Sequence, residues 1–308
     1  MRILVTGASG AIGAALAPAL ASEGHAVRAL TREPSRVRAT GLDEIVTGDV
    51  LLGQGLDVAL DGVEVAYYLI HSMESVTRTQ GAFSERERTA AAHFAGACLR
   101  SGTRRVVYLG ALAPSDRPPS EHLRSRLAVE ERLLEAAGEA VALRASIVVS
   151  AASRSFRFLV RLVERTPILP LPPWRHHRTQ PIDGRDVIAY LVAAGTSPAV
   201  RGALSLDVAG PDVLTYGQII ERIRDALLID RPRLDLPIAL TPVASAIAAA
   251  IAGEDPALVG PLMEGLDGDL MPRDDRARTL LDVRLHSFQA AVERALRDWE
   301  SGEELRAR

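Results

Sequence analysis

The chain has 308 residues, 47% of them apolar and 24% charged, with a formal net charge of -3. This is the make-up of an ordinary globular protein, and it argues against a disordered or strongly basic nucleic-acid-binding one. All 36 basic residues are arginine and there is neither lysine nor asparagine, which excludes a lysine Schiff base, a Walker-type phosphate lysine, a tyrosine–lysine proton relay and an N-glycosylation sequon.

In chain order, the β-branched runs RILVT (2–6), AVRAL (26–30), EIVTGDV (44–50), VEVAYYLI (63–70), RRVVYLG (104–110) and AVALRASIVV (140–149) predict strands. Helical patterns separate them at 10–24, near 54–60, at 84–100 and at 120–137. Strands this apolar must be covered on both faces, so residues 1–150 are expected to form an α/β, doubly wound parallel sheet with right-handed crossovers. Beyond residue 150 the pattern weakens. Helices are expected at 155–166, 184–195, 215–228 and from 286 onward, with a strand at 203–210. Between Pro167 and Pro181 a proline-rich connection, PILPLPPWRHHRTQP, cannot be regular helix. These elements are too intermingled for a linker, so 151–308 are expected to form a smaller lobe interleaved with the main sheet.

The single cysteine, Cys98, excludes an internal disulfide and reads as a packed thiol in a helix, which fits a reducing compartment. MRILVTGASG runs directly into a strand without a signal-peptide layout, so a cytoplasmic location is expected. The apolar run from Leu236 to Gly253 is alanine-rich and broken by Pro242. It is read as a buried or partner-facing helix, with a membrane span as the alternative.

The strongest local signal is VTGASGAIG, residues 5–13, which joins the first strand to the first helix. Gly7 permits a tight turn, Gly10 lets the backbone approach a pyrophosphate, and Gly13 lets helix pack on strand. With Ser9, Ala11 and Ile12 they form the expected phosphate-binding loop of a dinucleotide site, the alternative being a plain tight turn.

The spacing G-x-x-G-x-x-G resembles that of the short-chain dehydrogenase/reductase superfamily, in particular its extended and atypical branches. Asp49-Val50 after the third strand resembles the family's adenine-contacting pair. LRASIVV resembles its sixth-strand motif, and QPIDGRDV its segment returning from the substrate lobe. YYLIHSM and HLRSR are most similar to NmrA-like, NAD(P)-binding atypical members. The resemblance implies a Rossmann domain with a smaller C-terminal substrate lobe, and it makes Leu69, Ile70 and His71, after the fourth strand, candidate contacts of the cofactor. At the end of the second strand, where an acid would select NAD, the chain reads Thr31, Arg32, Glu33, with Arg36 close behind. Arginine's planar fork suits a phosphate dianion, so NADP(H) is the expected cofactor, with a solvated arginine rim as the alternative.

Carbonyl-reducing members of this superfamily use a serine, a Tyr-x-x-x-Lys pair and an asparagine. Lysine and asparagine are absent here, and none of the five tyrosines (67, 68, 108, 190 and 216) has even an arginine four positions on. Near the expected tyrosine position stand His122 and Arg126, four residues apart on one helix face behind the N-cap Ser120. They are the candidate catalytic pair: the imidazole as proton donor, the guanidinium holding a ribose or an anionic substrate. A surface helix with solvated arginines is the alternative. Trp174, Arg175, His176, His177 and Arg178 form a dense patch, read as a polar loop with an aromatic anchor or as a cap on a substrate pocket. No metal is assigned.

The resulting expectation is an NADP(H)-binding atypical oxidoreductase acting on a small carbonyl, quinone or enone-like acceptor. The alternative is a non-enzymatic NADP-binding redox sensor or assembly partner. A small-molecule substrate is expected, a homo-oligomer or protein partner is left open, and neither nucleic acid nor membrane is expected as a partner.

Overall fold

The computed structural model describes residues 1–70, 80–236, 266, 268–303 and 305. In the first half β1 (Arg2–Thr6), α1 (Ala11–Ser22), β2 (Ala26–Thr31), β3 (Glu44–Thr47), α2 (Leu56–Leu60), β4 (Val65–Tyr68), α3 (Gln80–Ser101), β5 (Arg105–Ala111), α4 (Glu121–Leu134) and β6 (Glu139–Ala145) alternate strand with helix. The second half adds β7 (Val148–Val149), α5 (Arg154–Arg165), β8 (Leu169–Leu171), β9 (Arg178–Thr179), β10 (Ile182–Asp183), α6 (Gly184–Thr196) and β11 (Ala203–Val208). It continues with β12 (Leu214–Thr215), α7 (Tyr216–Ala226), β13 (Arg233–Asp235), α8 (Arg276–Leu281) and α9 (Phe288–Glu300).

Seven parallel strands form the central sheet in the order β11-β6-β5-β4-β1-β2-β3. The order reverses between β1 and β4, and it is outside the carboxyl ends of the strands at such a switch point that open α/β sheets take their ligands. Side chains alternate strictly through the sheet. Ile3, Val5, Val65, Tyr67 and Val107 enter the core under α1 and α6, whereas Leu4, Ala66, Tyr68, Val106 and Tyr108 enter the core under α2, α3 and α4. With both faces covered, the strands are apolar throughout, which is why they were readable as unbroken runs.

Two buried arginines close helix ends against this sheet. Arg105, 1% exposed, pairs with Glu139 at 2.7 Å and donates to the carbonyls of Ala194, Gly195, Ser197 and Val200 at the end of α6. Arg28 pairs with Glu44 and donates to the carbonyls of Val58, Ala59 and Asp61 at the end of α2. Each satisfies carbonyls that a helix terminus leaves without partners, and places a cation where the helix dipole favours one.

The run expected as one strand over 140–149 divides in two. Ser146 N donates to the carbonyl of Val208, the last residue of β11, so the sheet runs out of partner there. Val148 and Val149 then pair with Ile182 and Asp183 instead. The smaller lobe has its own core, built from α5, α7 and α9 around Phe156, Val160, Ile219, Ile223, Val292 and Trp299. The proline-rich connection holds β8, a 3-10 turn at Pro173–His176, and β9. Cys98 is buried, and burial pushes its thiol up to about 12. Among the described residues no helix is long and apolar enough to cross a membrane. The apolar run at 236–253, apart from Leu236, lies outside the described residues.

Candidate functional site

The glycine loop sits at the carboxyl edge of β1, against the end of β4. Gly7 has φ +71°, and a Cβ there would lie 3.0 Å from the Leu69 carbonyl oxygen. A Cβ on Gly13 would lie 2.8 Å from Ala8 Cα and closer still to the Gly7 carbonyl oxygen. Gly10 N donates to Gly7 O at 2.9 Å, so the loop folds back on itself as α1 begins. Gly10 is the N-cap of α1, makes no side-chain capping bond, and is exposed together with Ser9 and Ala11. Exposed first-turn amides beside a loop that tolerates no side chain form a cradle that fits a pyrophosphate. Thr6 ties the loop to β4: its hydroxyl donates to Tyr67 O and accepts from Leu69 N. Leu69 and Ile70 follow β4 half-buried beside the cradle, and Ile12 is half-buried in the first turn of α1.

At the end of β2, Arg32 and Arg36 are exposed. Glu33, the one acid between them, accepts from the Ser35 hydroxyl at 3.4 Å and lies 3.7 Å from the Arg36 guanidinium. Thr31 spends its hydroxyl on a local turn with Glu33 N at 3.2 Å. Asp49 Oδ1 accepts from Leu51 N at 2.7 Å and Leu52 N at 3.3 Å, which bends the chain after β3 and buries Val50.

On the other side of the switch point, α4 starts at Ser120, whose hydroxyl accepts from Leu123 N. His122 is half-buried in the first turn. Arg126 is 9% exposed, so the solvated-arginine alternative does not describe it. Its Nη2 donates to Leu109 O at 2.6 Å, and its guanidinium lies 5.2 Å from the Tyr108 ring centre. Sequence reasoning paired His122 with Arg126 but missed what lies beneath them. Ser125 Oγ donates to Glu87 Oε2 on α3 at 2.8 Å, and Glu130 accepts from Arg144 and from Ser205 Oγ at 2.6 Å. These partners lie 14 to 75 positions away, so no local pattern announces them.

Every tyrosine is buried, at 0 to 3% exposure. Burial pushes Tyr108, Tyr190 and Tyr216 up to about 12, and Tyr67 and Tyr68 higher. Tyr67 donates to Leu191 O, and Tyr108 donates to Arg126 O. These phenols pack the core and are held protonated. His71 lies outside the described residues.

The Trp174–Arg178 patch is built into the smaller lobe. Trp174 stacks edge-on against Tyr216 at 6.4 Å, Arg175 donates to Leu171 O, His177 Nδ1 is 2.5 Å from Leu266 O, and Arg178 pairs with Asp269 at 2.7 Å. Among the described residues no group of three or more histidine, cysteine or acidic side chains is placed to hold a metal ion.

Residues 7–148 match the NAD(P)H-binding family. The mitochondrial NADH dehydrogenase [ubiquinone] 1 alpha subcomplex subunit 9 of Arabidopsis thaliana is 30% identical over 149 residues, covering 48% of this chain and 36% of that protein. The ceramide reductase of Caulobacter vibrioides is 28% identical over 220 residues, 71% of this chain and 68% of that one. The chain thus spans about a third of the plant relative and two thirds of the bacterial one. In fold, it is similar to a UDP-glucuronic acid 4-epimerase from Bacillus cereus solved in complex with NAD, with a TM-score of 0.72 at 16% identity, covering 97% of this chain and 96% of that one. Glycine cradle and sequence likeness agree over residues 7–148, the part of the chain that matches the NAD(P)H-binding family, and the strand order is in keeping with the fold of that solved structure.

Proposed function

We propose that the protein is an NADP(H)-dependent oxidoreductase that serves a small carbonyl, quinone or enone-like acceptor without a serine–tyrosine–lysine apparatus. The observation that carries the cofactor choice is the exposed Arg32 and Arg36 at the end of β2, with Glu33 drawn toward Arg36 and Ser35. A 2′-phosphate would meet two guanidinium forks there rather than a repelling carboxylate. The loop from Gly7 to Gly13, with Ser9, Ala11 and Ile12, holds the pyrophosphate, Asp49 and Val50 bound the adenine, and Leu69 and Ile70 wall the ribose. The cofactor, when bound, supplies or accepts the hydride. Arg126 fixes the nicotinamide ribose or an anionic acceptor, and His122 delivers the proton to the acceptor oxygen. An apolar acceptor is in keeping with relatives named for ceramide and ubiquinone. The protein works in the cytoplasm in this reading, where its lone buried thiol stays reduced.

Titration of the intrinsic fluorescence of NADPH and NADH tests the cofactor assignment. The parent is expected to prefer NADPH, and Arg32→Glu to lose that preference by tenfold or more. Equal affinities unchanged by the substitution would overturn it. Turnover against a panel of carbonyls and quinones, lost in His122→Ala, tests the chemistry.

A second reading, a non-catalytic NmrA-like redox sensor or assembly partner, is favoured by one observation: the complete burial of the five tyrosines. It requires tight NADPH binding with no turnover on any acceptor, together with a stable protein partner.

A further inference from the structure

Helix α4 packs on the sheet with an unusual face. Ser125, Arg126 and Glu130, at 4%, 9% and 3% exposure, are all buried where an amphipathic helix normally presents an apolar stripe. Each is tied to a different neighbour: Ser125 to Glu87 on α3, Arg126 to Leu109 O on β5, and Glu130 to Arg144 on β6 and Ser205 on β11. Apolar packing fixes how far a helix stands from a sheet but says little about its rotation about its own axis. Directional hydrogen bonds fix that rotation.

Among these ties the Glu87–Ser125 bond is the one that joins α4 to α3, a single turn from His122 and next to Arg126. Glu87 is 4% exposed, and a carboxylate is retained this deep only when bonded and offset by positive charge. Its bond to Ser125 is 2.8 Å, and Arg126, the next residue along α4, lies over the ring of Tyr108. Tyr68 joins the same cluster, 6.2 Å from Tyr108 and edge-on to Phe94 at 5.1 Å. An apolar side chain would fill the same volume without the cost of desolvating a charge.

We propose that Glu87 is a positioning residue: through Ser125 it sets the rotation of the first two turns of α4, and so the direction in which His122 and Arg126 face the cofactor. This rests on the reading of α4 as the nicotinamide-side wall of the site. Glu87 itself touches neither cofactor nor substrate in this role.

Three variants of the full chain test it. Glu87→Gln keeps both shape and acceptor, Glu87→Met keeps the shape only, and Ser125→Ala removes the donor. Two readouts are needed. Hydrogen exchange of the amides of residues 120–126 in the cofactor-free protein reads the tie, and fluorescence titration with NADPH, beside competition by 2′,5′-ADP, reads its consequence. Glu87→Met and Ser125→Ala are expected to speed exchange about tenfold and weaken NADPH about tenfold, with the double variant no worse than either single. Glu87→Gln is expected to stay within about threefold of the parent in both. The fragment 2′,5′-ADP lacks the nicotinamide half and is expected to bind all variants alike. Unchanged exchange in Glu87→Met, with NADPH still bound by the parent, overturns the role of Glu87 alone. Equal weakening of 2′,5′-ADP and NADPH also overturns it, because the defect is then general. Altered exchange in a protein whose parent binds no NADPH overturns the cofactor reading, and the role of Glu87 with it.

Discussion

Replacing Gly13 by alanine sets two physical effects against each other, and the structure says which prevails. Alanine is the better helix former by about 1 kcal/mol, so propensity alone has Gly13→Ala stabilising α1. The new methyl group, however, would lie 2.8 Å from both Ala8 Cα and Gly7 C, where carbon atoms ordinarily stand about 3.5 to 4.0 Å apart. All the obstructing atoms are backbone, and Gly7 is itself wedged against Leu69 O in a left-handed turn. Relief therefore needs a shift of roughly 0.7 Å or more between the loop and α1. Overpacking of this kind costs about 1 to 3 kcal/mol, which outweighs the propensity gain. It also displaces the Gly10 and Ala11 amides, so NADPH affinity is expected to fall at least tenfold, about 1.4 kcal/mol. Urea unfolding and NADPH fluorescence titration measure the two losses. Gly138→Ala is the control, since nothing lies within 4 Å of a Cβ there. A Gly13→Ala protein that unfolds at or above the parent's midpoint and binds NADPH equally well would refute the steric argument.

Two further expectations come from buried groups and a third from an exposed residue. Burial by itself would raise the Glu139 carboxyl, but hydrogen bonds from Arg105 and Arg201 outweigh it and hold the group below its ordinary 4.5. Its contribution is therefore full above that pH and lost as pH falls through the lowered value. Glu139→Gln is expected to cost about 3 kcal/mol at neutral pH, with the gap to the parent closing below pH 4.5 in acid urea melts; a constant gap would contradict the ion-pair account. Burial raises all five tyrosines above the ordinary 10, so the folded state favours the neutral phenol and loses that stability as pH climbs toward 12. Absorbance at about 295 nm should show no tyrosinate near the ordinary pKa, then a cooperative rise with unfolding; any phenol titrating at its ordinary value in folded protein would place it outside the core. Leu228, just past the end of α7, has φ +57° and is 84% exposed. Leu228→Gly should raise the unfolding free energy by about 1 kcal/mol, and a loss would mean that the side chain is held by something.

What could be read from the chain follows from the range over which each signal acts. The doubly wound sheet was legible because strands covered on both faces are apolar without interruption, and the glycine loop because one local turn dictates all three glycines. The break after Ala145 was not legible, since it depends on where β11 ends, some sixty residues on. Nor were β8, β9, β10 and β12, which are two or three residues long and carry no period. His122 and Arg126 were singled out because the family resemblance sets them near the expected tyrosine position, and their four-residue spacing only puts them on one helix face. The polarity of HLRSR concealed that Ser125 and Arg126 are buried, because their acceptors come from α3 and β5. Arg105 illustrates the same limit: nothing in RRVVYLG marks it off from Arg104, yet it is among the largest fully buried side chains.

That arginine also bears on how the chain can be divided. A polypeptide ending near residue 150 would contain the whole glycine loop, the Arg32–Arg36 rim and six of the seven sheet strands. It would nonetheless lack the four carbonyls between Ala194 and Val200 that take up the Arg105 guanidinium, leaving a cation in the sheet with only Glu139 to meet it. Cut there, β5 would carry a buried cation short of four acceptors, and a fragment extended through α6 is expected to be the more stable of the two.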